Sequence, residues 1–159
     1  MDEQNLQLLW RSYLEQLPKN YLHRLNRIPD AWSFGNSPTI ADRLGKLVLT
    51  GLKTATCKRY LGENILDEDR LSIILNGNKN PICIIETYEI KIKRYKDVDA
   101  EFAKAEGEGD LSLDYWRKVH WDFFSREAET ENYRVNENML LSCERFRVVY
   151  TISDIKFTI

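Results

Sequence analysis

Residues 81–95, PICIIETYEIKIKRY, repeat with period two. Ile90 and Ile92 alternate with Glu89, Lys91 and Lys93, the pattern of a long strand with one face buried and one wet. LSIILN at 71–76 and the turn GNKN at 77–80 precede it, so a hairpin with a long second strand is expected. MLLSCERFRVVYTI, residues 139–152, has the same strand character near the other end of the chain. Such strands must cover their apolar faces, and the rest of the chain supplies helices for that purpose.

Leu6, Leu9, Trp10, Tyr13, Leu14 and Leu17 recur at spacings of three and four, which predicts an amphipathic helix stopped by Pro18. Residues 19–32 read as a connector with a turn at Pro29-Asp30. In NSPTIADRLGKLVLTG, Ser37 suits an N-cap, Pro38 the first turn, and Gly51 the stop after an Ile40, Leu44, Leu47, Val48 stripe. Residues 99–106 predict a short helix broken by EGEGD, and Ser112 opens a long amphipathic one carrying Leu113, Trp116, His120, Phe123 and Phe124. Strands and helices do not alternate regularly, so an α+β fold with a mainly antiparallel sheet is expected.

Length and composition narrow the function classes. The 159 residues fit one domain, 1–159, with an N-terminal helical extension at about 1–30. No run of 18 apolar residues exists, and the acidic start MDEQNLQLLW lacks a secretory apolar region, so a cytoplasmic protein is expected. Cys57, Cys83 and Cys143 show no CxxC or Cys/His spacing; reduced thiols, no metal and no cofactor are the expectation. Net charge is −2, so RNA contact would need a local basic patch. KIKRYK at 91–96 is the best one, with Lys91 and Lys93 on one strand face, either tracking a phosphate backbone or keeping an exposed edge from aggregating.

Three blocks in order, SFGNSPTIADRLGKLVLTGLKTATCKRY, AEGEGDLSLDYWRKVHWDFF and CERFRVVY, resemble the ASCH domain family of the PUA-like fold, over Ser33 to Tyr150. The resemblance implies a mainly antiparallel β-barrel flanked by helices, with a cleft for RNA or a modified nucleoside. Some members are amidohydrolases acting on N4-acetylcytidine, with lysine as proton acceptor, threonine as nucleophile and glutamate as proton donor. Matched by motif, those roles fall on Lys53, Thr56 and Glu106. Another member is similar to a ribonuclease acting on single-stranded RNA, and a non-catalytic RNA-binding module is the further alternative. This chain departs from the compact amidohydrolases in its N-terminal helix, its longer helical block after Gly109, and Gly107 following Glu106.

The chemistry sets its own conditions. A threonine hydroxyl needs a neighbouring base, and lysine is a base only where its pKa is lowered. Lys58 and Arg59 are near enough in sequence to help, and both are candidates for ligand binding. Residues three apart on a regular strand point to opposite faces, so Lys53 and Thr56 share a cleft only if residues 52–55 depart from one. The plain alternative for Lys53 is a solvated lysine at a helix C-terminus. Crowding in EGEGD would raise the Glu106 carboxyl; the alternative is an acidic loop capping the next helix through Asp110 or Ser112. Trp116 and His120 lie one turn apart, either stacking a base and bonding a phosphate or packing the helix.

Overall fold

The computed structural model describes residues 3–19, 27–62 and 70–155. Among the described residues, four α-helices form: α1 Glu3–Gln16, α2 Pro38–Leu49, α3 Ala100–Glu106 and α4 Leu113–Glu131. The described strands are β1 Ala31–Trp32, β2 Ala55–Arg59, β3 Leu71–Leu75, β4 Pro81–Arg94 and β5 Leu140–Thr151. The helical and strand periods therefore mark the elements named from the sequence, with ends shifted by a residue or two. Part of the expected connector, 20–26, lies outside the described residues.

The sheet order is β1-β3-β4-β5-β2. It is mixed and open, which corrects the expected closed barrel. β1 is two residues long and pairs parallel to β3, while β2 pairs antiparallel to β5, leaving β1 and β2 as the two edges. A two-residue edge strand offers too few ladder bonds to close a sheet on its far side.

The described chain divides into two compact units. Residues 3–19, 27–51, 70–87 and 147–155 form one; residues 52–62 and 88–146 form the other. In the first, α1 turns Leu6, Leu9 and Trp10 onto Ile73, Leu75, Ile84 and Tyr150. The Ser37 hydroxyl caps α2 at the Ile40 N–H, 3.3 Å away. In the second, Ala55, Leu141 and Cys143 of the sheet meet Phe102 and Ala103 of α3 and Trp116 and Phe124 of α4. Asp99 and Ser112 cap those two helices through Phe102 N–H and Tyr115 N–H. This second unit contains the residues of functional interest.

Candidate functional site

The site is assembled where the chain passes from Leu52 into β2 beside the end of α3. Gly107 caps α3 in the left-handed conformation (φ 74°), and a Cβ there would lie 2.3 Å from the Leu52 carbonyl oxygen. Only glycine permits that approach without displacing backbone. The Thr54 N–H donates to the Ala105 carbonyl at 2.8 Å, and the Phe146 N–H to the Thr54 carbonyl at 2.9 Å. Residues 52–54 are thus tied to α3 and β5 before β2 begins.

This arrangement buries Lys53. Its ammonium donates to Glu106 Oε2 at 2.7 Å, to the Glu106 backbone carbonyl at 3.3 Å, and to Glu108 Oε1 at 3.2 Å. Both the Lys53 and Glu106 side chains are 1% exposed. A cation at the carbonyl end of α3 is also favoured by the helix dipole. The second carboxylate oxygen, Oε1, accepts from Trp116 Nε1 at 3.2 Å and lies 3.3 Å from His120 Nε2. His120 Nδ1 is 2.9 Å from the Trp116 carbonyl, and the two rings stack with centroids 4.2 Å apart. The Cys57 sulfur faces the same carboxylate, within 4.8 Å of it.

Charge follows from these neighbours. Burial by itself would lower Lys53, but the Glu106 and Glu108 carboxylates outweigh it and hold the ammonium above its ordinary value. Burial would raise Glu106, yet the Lys53 charge and the His120 contact prevail and hold the carboxyl well below the usual range. Crowding by acids, the effect expected to raise Glu106, loses to a lysine 2.7 Å away. Burial and the Glu106 charge push the Cys57 thiol well up. At rest the pair is therefore ammonium and carboxylate.

The other expected site residues separate. Thr56 alternates with Ala55 and Cys57 on β2, so it leaves the opposite face from Cys57 and pairs in register with Glu144. Lys58 shares the Thr56 face, mostly exposed, 3.4 Å from Glu144 Oε1. Arg59 stacks over the Tyr133 ring at 3.6 Å and donates to Glu131 at 2.7 Å, fastening β2 to the end of α4. Trp116 is 2% exposed and already stacked on His120, leaving no free face for a base. Lys91 and Lys93 are matched by Glu89 and Asp99, each at 2.8 Å. They line an open cavity of about 350 Å³ together with Glu89, Asp99, Glu101 and Arg145, so its charges balance.

Two members of the network were not expected from sequence. Glu108 reads as a loop acid, and its only signal is its place two residues from Glu106. Cys57 carries no motif; it joins because strand parity places it on the face that Lys53 and Glu106 occupy. Cys57, Glu106 and His120 bring donor atoms within 4.8 Å of one another, but the carboxylate there is already matched by Lys53, and no metal is assigned to it.

The ASCH domain family profile matches residues 30–150. Among solved structures, the chain is similar to the ASCH domain from Lactobacillus crispatus JV V101, with 32% identity and TM-score 0.83 over 92% of this chain and 95% of that one. It is also similar to protein EF3133 from Enterococcus faecalis V583, with 34% identity and TM-score 0.79 over 93% and 90%. No curated protein matches the chain significantly.

Proposed function

This chain belongs to the ASCH domain family, whose members are generally associated with RNA, and we propose on that premise that it is an amidohydrolase of N4-acetylcytidine-like nucleosides, with Lys53 and Glu106 as its acid–base pair. The observation that carries this reading is the buried 2.7 Å contact between them, in which both carboxylate oxygens and the ammonium are engaged. Placing two charges out of water costs several kcal/mol per ion, and hydrophobic residues of like volume would often stabilise a fold as well. Such pairs in a ring of titratable groups concentrate at working sites.

The resting pair is held the opposite way round from what a lysine base needs, so in this reading substrate binding drives one proton from the Lys53 ammonium to Glu106 along their 2.7 Å hydrogen bond. Neutral Lys53 then takes a proton from the nucleophile as it attacks the amide carbonyl. Protonated Glu106 supplies the proton that lets the exocyclic amine leave, giving cytidine and acetate. Thr56 leaves the other face of β2, so the nucleophile in this reading is water. The substrate approaches past Glu108 and His120, whose side chains keep 13% and 12% exposure. Internal pairing of Lys91 and Lys93 weighs against backbone tracking of a long RNA.

The test is release of cytidine from N4-acetylcytidine, followed by mass spectrometry. Glu106→Gln and Lys53→Met should each lose at least about 100-fold in kcat/KM while remaining folded. Thr56→Ala should stay within a few-fold of the parent; its loss would restore threonine as the nucleophile. A folded parent protein that releases no cytidine would end the amidohydrolase reading.

A further inference from the structure

We propose that Cys57 and Cys143 are a modification site: a cross-strand thiol pair that a low-molecular-weight disulfide converts into an intramolecular disulfide. The two cysteines are direct partners in the antiparallel β2–β5 ladder. The Phe146 N–H bonds to the Thr54 carbonyl and the Tyr60 N–H to the Leu140 carbonyl, which makes 54/146 and 60/140 hydrogen-bonded positions. Alternation along the ladder then makes 57/143 a non-hydrogen-bonded pair, where Cα atoms approach to about 4.5 Å and side chains lie closest. That falls inside the ~4.4–6.8 Å window of disulfides. Both side chains leave the same sheet face and pack into one apolar cluster. Cys83, in contrast, faces Ile74 across its ladder.

The exchange has two steps. Cys57, the half-buried member, attacks one sulfur of a small disulfide, forming a mixed disulfide and releasing one small thiol. The Cys143 sulfur then displaces the second small thiol and closes the Cys57–Cys143 bond. Two protein thiols are oxidised by two electrons, and the reagent is reduced to two thiols. Burial keeps both thiols protonated, Cys143 pushed up to about 12, so the exchange is slow at neutral pH and speeds up as pH rises. Closure draws the Cys57 sulfur away from the Glu106 carboxylate it faces within 4.8 Å, so oxidation reaches the Lys53 network directly.

The test uses the native full-length chain incubated with oxidised glutathione, then alkylated in denaturant and mapped by peptide mass. The expected product has one crosslink, Cys57 to Cys143, with Cys83 alkylated and full reversal by a reducing thiol. Cys143→Ala should stop at a glutathione adduct on Cys57, and Cys83→Ala should leave the crosslink unchanged. The rate should rise about tenfold per pH unit near neutrality, as the thiolate fraction does. A crosslink that includes Cys83 or joins two chains would overturn the proposal. So would a native chain whose thiols persist while the urea-unfolded chain oxidises. Neither result depends on which nucleoside, if any, the protein hydrolyses.

Discussion

Lys53 and Lys93 form ion pairs of almost equal length, 2.7 Å to Glu106 and 2.8 Å to Asp99, in opposite surroundings. The first pair is 1% exposed on both sides, and the second is 27% and 53% exposed. Distance alone cannot rank them. Water and salt screen the outer pair and can replace either partner, so exposed bridges contribute little. Inside, neither ion can recover its hydration, and each exists as a charge because the other does. The inner pair is therefore rigidly specified, whereas the outer one is a surface detail. The same contrast separates the two halves of the expected site: Glu106 is enclosed by Lys53, Cys57, Trp116 and His120, and Lys58 stands in solvent.

The comparison is most sharply tested by removing one inner partner. Lys53→Met should lower unfolding stability by about 3–5 kcal/mol in urea titrations, because Glu106 is left as a buried, unmatched carboxyl. Lys53→Met combined with Glu106→Leu should recover more than half of that loss. A single variant as stable as the parent would place the inner pair with the outer one.

A smaller effect should appear with pH. The folded Glu106 value lies below its ordinary 4.5, so its contribution is complete above about that pH and is lost as pH falls towards the folded value. Lys53 is held above 10.5, so its contribution is complete below that pH and is lost as pH rises past the folded value. Urea midpoints should be flat in this pair's contribution between the two limits. The double variant should show shallower acid and alkaline limbs than the parent, and identical limbs would contradict the ion-pair assignment.

The smallest change should follow Lys91→Ala and Lys93→Ala. Their urea midpoints should match the parent at high salt, and single-stranded RNA affinity should keep its salt slope. A slope reduced by about 0.7 per lysine would return both residues to the RNA backbone.

Much of this molecule is legible in sequence because local rules govern it. Period two in 81–95, the Ser37 and Ser112 caps, and the helical stripes each specify an element through neighbours only a few residues away. The register of Lys53 with Glu106 was legible by another route, since three sequence blocks carry it together. Strand parity also separates Thr56 from Cys57 once β2 is known to start at Ala55. The open sheet was not legible. Closure depends on how many ladder bonds the edge strands can make, and β1 is too short to announce itself in sequence.

By itself, then, the amino-acid sequence determined the helices, the long strands and the family, whose resemblance assigned Lys53, Thr56 and Glu106 to one site. Only the tertiary structure made Lys53 and Glu106 a pair. It buried both charges under α3 and α4, placed Glu108, His120, Trp116 and Cys57 around them, and matched the outer lysines with acids. Protonation is set by burial and by neighbours within a few ångströms, and residues 53, 57, 106 and 120 become neighbours only when the chain has folded.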